Sequence, residues 1–542
     1  MELLNLIFLM FMTVGFARIL ANVLPIPLPF LQIALGALIA IPSYGVRIEI
    51  EPEIFMVLFI PILIWVEAYS LPKNSFAKDC GPVLGMAIGL VVLTVILCGF
   101  FINFLLPVIP LAACFALAAV LAPTDAVAVA ALAHGKLPER ISRKLGYESL
   151  LNDGSSLSLF AVAITALLSG VFSPVEAGFK LILMAVGGLA VGAAISWLVG
   201  KGKSMMAARG FFDPITPVFL MLLVPFAAFV MAEHLHLSGI LAAVGAGWMQ
   251  SRSEMLPKNI QTRMLNRSVV HVIVALLEGA CFVILGNALP GILEGTVSNH
   301  NLNTFSLFDL SLYVVLITAS IFVTRFVWIY GYKKLTVLYK RLTRTPYKPE
   351  QDALVSGLMT VAGVRGAITL AAVMSVPVVI AGELFAGRDI MIFLAMGVII
   401  LSLAVGALGI PVFLRFVQGD AEKSQAKEVL LAKVTASSAV IRFLEEWEHT
   451  HSIGKDAGEA VMMTEVLARV MADYRQDVDA LDSVDNVRER AQAMEALERD
   501  LRLKAIGVQR KALFKLRRKR LIDDEAMRQL ITDLDYSEAA LQ

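Results

Sequence analysis

Runs of about twenty apolar residues, separated by short polar turns, fill the first 418 residues and limit what this chain can fold into. An α-helix of about 20 apolar residues crosses the hydrocarbon core of a bilayer. Only 17% of the residues are charged and 58% are hydrophobic, which is the composition of a chain whose main solvent is lipid. The sequence therefore predicts an all-α polytopic membrane protein.

Thirteen transmembrane helices are predicted, each from one apolar run. They lie near residues 3–23, 26–42, 53–70, 82–106, 109–133, 149–171, 177–199, 214–232, 237–250, 268–290, 307–331, 353–380 and 389–417. The connections after the third, fifth, seventh, ninth and eleventh spans are rich in lysine and arginine, whereas the opposite connections hold only Arg47 and Arg388. Because basic loops stay in the cytoplasm, we expect the N-terminus outside and the C-terminus inside.

The last part of the chain has a different composition. From Asp420 onward it contains 20 Lys and Arg and 24 Asp and Glu, with apolar residues at helical spacing. We therefore expect a membrane domain over residues 1–418 and a helical cytoplasmic domain over residues 419–542. A basic cluster at residues 515–520 either lies on anionic lipid headgroups or forms a solvated helix face.

Two of the predicted spans are interrupted. The fifth contains Ala122-Pro123-Thr124-Asp125, in which the proline removes a backbone donor. The twelfth contains Gly363-Val364-Arg365-Gly366, whose glycines weaken the helix and let another backbone approach. These spans are the middle members of two three-span groups, spans 4–6 and 11–13, which enter the membrane with opposite orientation. This arrangement is typical of inverted repeats with an ion site at the bilayer midplane.

The strongest indication of function is the polar stretch at residues 148–154, at the start of the sixth span. A charged side chain in hydrocarbon costs at least about 2.5 kcal/mol, so an acidic pair there is expected to be functional. Ser149, Asn152 and Asp153 are spaced i, i+3 and i+4, which puts their oxygens on one helix face. Such oxygens suit sodium and related cations. Helix capping by Ser149 or Asn152 is the alternative, but a cap needs only one polar residue.

Three further residues are candidates for the same site. Thr124 and Asp125 follow the proline of the fifth span. They either satisfy the backbone groups freed by the break or form the second half of the site, and we expect both roles, with Thr124 nearer the ion. Glu67 lies deep in the third span. It is either a carboxylate beside the site or a residue near the membrane face that points to water.

Glu148 is expected to bind a different partner. It precedes Asp153 by five residues, which turns it roughly 140° away around the helix. Arg365 is the cation predicted near the middle of the twelfth span, so we expect a buried Glu148–Arg365 ion pair with a structural role. Glu278 and Arg325 either pair with each other or line the pathway, and no role is predicted for Glu233.

Other classes of function lack their motifs. The sequence contains no phosphate-binding loop, no hydrolase motif and no paired-cysteine metal motif. We therefore expect a transporter that is not an enzyme, has no resident cofactor and binds no nucleic acid. A cation channel would use the same ligands, and a membrane sensor would use the soluble domain as its output.

Four motifs occur in the order Leu121-Ala122-Pro123-Thr124-Asp125-Ala126-Val127-Ala128, Glu148-Ser149-Leu150-Leu151-Asn152-Asp153-Gly154, Ser238-Gly239-Ile240-Leu241 and Gly363-Val364-Arg365-Gly366-Ala367-Ile368-Thr369-Leu370. Together they resemble the monovalent cation:proton antiporter-1 family, the bacterial sodium/proton exchangers. The resemblance covers residues 1–418. It implies thirteen spans with six-span core bundles, a homodimer in the cytoplasmic (inner) membrane, and electroneutral exchange of one cation for one proton, for pH and cation homeostasis.

The resemblance also implies roles for individual residues. Asp153 is the carboxylate that binds the monovalent cation or the proton, and its neighbours are Asn152, Ser149 and Thr124. Sodium is the expected cation by family frequency, with lithium and potassium as further substrates. A potassium/proton antiporter and a cation channel with a regulatory tail are the alternatives.

Two acidic positions match the family and one departs from it. Glu67 matches the acidic position of the third span, and Glu148 with Arg365 matches the stabilising pair. At Glu278 relatives often carry an asparagine. The resemblance of residues 419–542 to the cytoplasmic tails of relatives is only loose, and a regulatory role is expected for them.

Overall fold

The computed structural model describes residues 2–40, 57–71, 81–133, 136–170, 174–209, 215–254, 260–298, 306–342, 352–377, 379–380, 383–385, 387–417, 421–451, 462, 464–472, 474–475, 485–518 and 524–541. The chain divides into two compact units, Met1–Gln418 and Gly419–Gln542.

Helices make up nearly all of the first unit. In chain order they are α1 (Glu2–Ala21), α2 (Leu28–Ile39), α3 (Ile60–Ser70), a π-helical segment (Gly85–Leu90), α4 (Val91–Leu105), α5 (Leu111–Leu121), α6 (Ala126–Ala133), α7 (Glu139–Ser169), α8 (Pro174–Ala208), α9 (Thr216–His234), α10 (Gly239–Glu254), α11 (Ile260–Ser298), α12 (Leu307–Leu342), α13 (Asp352–Val361), α14 (Ala367–Met374) and α15 (Gly387–Val417). A short antiparallel pair, β1 (Val379–Ile380) and β2 (Glu383–Leu384), lies between α14 and α15.

The lengths and surfaces of these helices are those of a membrane protein. Seven described helical stretches are long and apolar enough to cross a bilayer, and the bent pair α5 and α6 is an eighth. Large apolar side chains point outward, with Phe104 80% exposed and Phe308 75% exposed, as expected where the solvent is lipid. The predicted all-α polytopic fold is confirmed. Each of the thirteen predicted spans overlaps a described helix, while thirteen membrane crossings stay a prediction.

Small residues allow the helices of the first unit to approach closely. α10 packs against α8 and α3, and α11 packs against α2. A Cβ atom on Gly192 of α8 would overlap the backbone of Ala242 in α10, so only glycine fits at that crossing. Because lipid is as apolar as the helix surfaces, close packing of this kind supplies much of the association energy.

The two predicted helix breaks are present and they meet. α5 ends at Leu121 and α6 begins at Ala126, with a bend of 44° between them. α13 ends at Val361 and α14 begins at Ala367. The amide of Asp125 in the first break donates to the carbonyl of Val364 in the second, at 2.8 Å. Each break therefore satisfies part of the backbone that the other leaves open.

The second unit contains α16 (Ala421–His451), α17 (Asp485–Arg518) and α18 (Asp524–Leu541). α17 and α18 pack against each other. Arg510 of α17 forms ion pairs with Asp535 and Glu538 of α18. These two carboxylates raise the pKa of the Arg510 guanidinium, so the pair of helices is joined by a permanently charged side chain.

Candidate ion-binding site

The polar stretch of the sixth span lies in the interior of α7. Glu148, Ser149, Asn152 and Asp153 are all buried, with at most 4% of each residue exposed. α7 begins at Glu139, so these residues follow its first two turns instead of preceding them. The capping alternative is therefore wrong, because a cap stands at the first residue of a helix. The helix starts earlier than predicted, because the charged segment that precedes the apolar run is also helical and forms its first turns.

One face of α7 holds the first helix break. Asn152 Nδ2 donates a hydrogen bond to Thr124 Oγ1 at 3.1 Å. The amide of Ala126, the first residue of α6, donates to Ser149 Oγ at 3.3 Å. The predicted juxtaposition of Ser149 and Asn152 with the break is thus what the structure shows. Both side chains satisfy groups that the break would leave unpaired in the membrane.

Asp125 caps the second half of the broken helix. Its Oδ1 accepts hydrogen bonds from the amides of Val127 and Ala128, both at 2.9 Å. A Cβ atom on Gly366 would overlap the Asp125 carboxylate, so the second break approaches this side chain as closely as a glycine allows. Asp125 therefore stabilises the positive end of α6 with one oxygen and faces the other break with its second.

A cavity of about 350 Å³ connects most of the candidate residues. Its lining includes Glu67, Thr124, Asp125, Ser149 and Asp153. Glu67 was predicted to lie either beside the site or near the membrane face. The structure places it beside the candidate site, because it lines this cavity. Its Oε1 is buried and has no hydrogen-bond partner.

Asn152 differs from the other candidates because it is absent from the cavity lining. Its amide reaches sideways to Thr124, and its buried Oδ1 has no hydrogen-bond partner. The structure thus places Asn152 behind the break, where it supports Thr124.

The predicted ion pair between Glu148 and Arg365 is wrong. Glu148 forms a two-pronged ion pair with Arg325 of α12, in which Nη2 and Oε2 lie 3.0 Å apart and Nη1 contacts Oε1. The Arg325 Nε also donates to the Met359 carbonyl of α13 at 3.0 Å. This pairing excludes the alternative in which Arg325 binds Glu278.

Arg365 has other partners because it stands inside a break. Its Nε donates to the carbonyl of Leu121 at 2.9 Å, its Nη1 donates to the carbonyl of Gly363, and its guanidinium lies 5.7 Å from the Phe322 ring centre. Leu121 and Gly363 border the two breaks, so their carbonyls lack helical partners. Arg365 is used to satisfy them, and Glu148 pairs with the cation of the neighbouring helix.

The structure gives Glu233 a structural role. Glu233, left without a role by the sequence, accepts a hydrogen bond from the Gly239 amide at 3.0 Å and so caps α10.

Within the described residues, no three His, Cys, Asp or Glu side chains converge on a point where they could hold a metal ion. A cation in the cavity would meet carboxylate and hydroxyl oxygens, the ligands that hard cations prefer.

Sequence reasoning missed two of the polar residues in the cavity, Arg18 and Gln32, whereas lining the pathway was one of the two predicted roles of Glu278. Arg18 of α1 and Gln32 of α2 line the cavity together with Glu278 of α11. The charge of Glu278 within an apolar run was a signal. Gln32 gave a weaker signal, as an amide in the apolar second span.

Comparisons with known proteins agree with this architecture. Residues 7–416 match the family model described as sodium/hydrogen exchanger, transmembrane. An uncharacterized Na⁺/H⁺ exchanger of Escherichia coli, YjcE, is 36% identical over 558 residues, covering 100% of this chain and 99% of that protein. A sodium, potassium, lithium and rubidium/H⁺ antiporter of Bacillus subtilis is 32% identical and covers 76% of this chain and 61% of its own length.

A solved structure shares the fold. The sodium proton antiporter MjNhaP1 of Methanocaldococcus jannaschii superposes with a TM-score of 0.59 at 19% identity, over 78% of this chain and 100% of that one.

Proposed function

The chain belongs to the sodium/hydrogen exchanger family, and we propose that it exchanges a monovalent cation, sodium first, for a proton across the cytoplasmic membrane by alternating access. The observation that carries this proposal is the place of Asp153. It is a buried carboxylate in a membrane span, it lines a cavity, and the oxygens of Thr124 and Ser149 line the same cavity. The protein is a multi-pass membrane transporter, and the roles of these residues are part of the proposal.

Coupling follows from the cost of a buried charge. An ionised Asp153 in this setting is unfavourable unless a positive charge neutralises it. A proton on the carboxylate or a cation beside it serves equally, and each excludes the other. Because one carboxylate binds the two ions in turn, cation flux is coupled to proton flux. Selectivity for sodium over potassium or lithium depends on how closely the hydroxyl and backbone oxygens approach.

The neutral side chain of Asn152 favours electroneutral exchange. A second carboxylate next to Asp153 would hold a second proton in the empty site. Asn152 instead donates to Thr124, and it carries no titratable charge. In the proposed cycle Asp153 alone exchanges ions, while Glu67 and Asp125 keep one protonation state throughout. One proton is then exchanged for one monovalent cation, and no net charge crosses the membrane.

The cavity supports a proposal for which side of the membrane reaches the site. On α7 it is lined by Ser142, Gly146, Ser149 and Asp153, which share one helix face over about 16 Å. Ser142 lies beside Arg140 and Arg143, and the basic loops are predicted to be cytoplasmic. We infer that this conformation opens Asp153 to the cytoplasm and that an opposite conformation opens it outward. The same loop charges support an external N-terminus and a cytoplasmic second unit.

The proposal also assigns roles to the flanking spans and to the second unit. A homodimer formed through the flanking spans would hold one part of each protomer still while the part that carries Asp153 moves. Residues 419–542 would regulate exchange from the cytoplasm. In this role the protein would serve pH and cation homeostasis. A potassium/proton antiporter is the second candidate, because the B. subtilis relative is named for sodium, potassium, lithium and rubidium.

The test is ion-driven pH change in proteoliposomes. We expect the wild-type protein to move sodium uphill when a pH gradient is imposed, without generating a membrane potential. Asp153→Asn is expected to abolish exchange, because an amide can neither release a proton nor balance a cation. Asp309→Asn is the matched control, because Asp309 is a carboxylate at the exposed start of α12 that contacts Ser306.

Three results would contradict the proposal. Normal exchange by Asp153→Asn would remove the site assignment. Passive sodium flux that no pH gradient can drive uphill would indicate a channel, and a potential generated during exchange would refute the electroneutral stoichiometry.

A further inference from the structure

The cavity has a second polar wall that the proposed exchange does not use. Arg18, Gln32 and Glu278 come from α1, α2 and α11, and all three line the cavity that reaches Asp153. Arg18 is the basic side chain in this lining, and Glu278 and Gln32 supply oxygens. The wall lies on helices other than α7, which carries Ser149 and Asp153, and away from the break between α5 and α6, which contains Thr124.

Among the described residues, no hydrogen bond or close ion pair to Glu278 is found. Its Oε1 is buried and has no hydrogen bond. The ion pairs found among the described residues do not include Glu278, and Arg325, the other charged residue considered for it, is bound to Glu148. A carboxylate in a membrane span normally pairs with a cationic group or lines an ion path. The unsatisfied oxygen therefore indicates a ligand that enters the cavity.

Gln32 is the second indication of a ligand. It is 2% exposed, its side chain lines the cavity, and no hydrogen bond to it is found among the described residues. A Cβ atom on Gly279 would lie 2.6 Å from Gln32 Nε2, so the absence of a side chain at position 279 makes room for the amide next to Glu278. Gln32 therefore presents its amide to the cavity. The Gln32 amide and the Glu278 carboxylate both offer oxygens to the same cavity.

We propose that Glu278 and Gln32 form a second cation-binding site in the cavity, which captures the monovalent cation from the aqueous side and passes it to Asp153. This inference rests on the proposed exchange, and it adds a loading site to it. The ligand is an alkali cation that keeps part of its water shell, because two protein oxygens do not complete a coordination sphere. Arg18 on the same wall limits the net negative charge, so that the cation is held weakly and moves on.

The kinetic test separates loading from exchange. Glu278→Gln removes the charge and keeps the shape of the side chain. It is expected to raise the KM for sodium about tenfold, because a focused negative charge concentrates cations locally by at least that factor. The maximal rate is expected to change much less than KM. Glu278→Asp should restore most of the affinity, which a purely structural role would not predict.

A binding test does not depend on transport. In the Asp153→Asn protein, sodium chloride is expected to raise the unfolding temperature relative to choline chloride at equal ionic strength. In Asp153→Asn/Glu278→Gln this difference should disappear.

The outcomes are distinguishable from those of the proposed function. If the wild type shows no exchange, the proposed function fails and the binding test still reports on the second site. If the wild type exchanges ions and Glu278→Gln leaves KM unchanged, the second site is refuted alone. Loss of all exchange in a folded Glu278→Gln protein would also overturn it, by making Glu278 part of the exchange site itself.

Discussion

Burial determines how much the ion pair between Glu148 and Arg325 contributes to stability. Both side chains are at most 2% exposed, and their two-pronged geometry satisfies both carboxylate oxygens. The pair itself adds little net stability, because both charges were taken out of water. Removing one member is costly, since it leaves the other charged and unpaired. The pair therefore fixes where α12 sits against α7.

A double-mutant cycle on Glu148 tests this pairing. Glu148→Gln and Arg325→Gln are each expected to lower the free energy of unfolding by about 3–5 kcal/mol, and the double variant by much less than the sum. The cycle of Glu148→Gln with Arg365→Gln is the control and should show weaker coupling. Thermal unfolding in detergent measures all six proteins. Stronger coupling of Glu148 to Arg365 than to Arg325 would contradict the structure.

Helical periodicity made part of the candidate site predictable. The i, i+3 and i+4 spacing placed Ser149 and Asn152 next to the break that contains Thr124. The choice between Arg325 and Arg365 was not predictable, because it depends on how α12 packs beside α7 and on which carbonyls each break frees. The departure of Asn152 from the cavity lining has the same origin, since its amide is directed by the position of Thr124.

At the scale of elements, the crossing of the two breaks is the feature on which the site depends. The hydrogen bond from Asp125 to Val364 joins them, and Gly366 leaves room for the Asp125 carboxylate. Gly366 has an extended backbone with φ of −130°, so space and not conformation requires the glycine there. The crossing is thus set by a contact that one methyl group would obstruct.

Gly366→Ala tests the crossing. Overpacking of a close contact costs about 1–3 kcal/mol, and here the shift displaces Asp125 and the start of α6. We expect lower thermal stability and a loss of most exchange. Gly331→Ala in α12 is the matched control, because its Cβ would meet nothing within 4 Å. Full exchange by Gly366→Ala would show that the breaks need not meet this closely.

The breaks were predictable because proline and paired glycines mark them in the sequence. The π-helical segment at the start of the fourth span was not. The carbonyl of Ala87 in this segment accepts a hydrogen bond from Ser155 Oγ of α7 at 2.6 Å. Such a local widening of the helix depends on a partner distant in sequence, and no residue pattern in residues 85–90 indicates it.

At the scale of the whole molecule, the chain divides into a unit that holds the cavity and a second compact unit. Every residue that lines the cavity lies in Met1–Gln418, and Gly419–Gln542 forms its own compact unit. In the second unit α17 and α18 are joined through Arg510, whose guanidinium is charged at all physiological pH values and whose pKa its partners raise further. A pH response of this unit would therefore not arise from titration of Arg510.

Removal of residues 420–542 tests the regulatory role. Exchange by the truncated protein is expected to persist, because the cavity and the helix crossing remain, and its pH profile is expected to shift. Arg510→Gln should reproduce the shift, since it releases Asp535 and Glu538. Lys504→Gln is the matched control, because Lys504 pairs with Asp500 within α17 on the exposed surface. The measurement is the exchange rate as a function of pH in everted vesicles. An unchanged rate and pH profile after truncation would leave the second unit without a regulatory role, and a shift by truncation alone would place that role outside the Arg510 contacts.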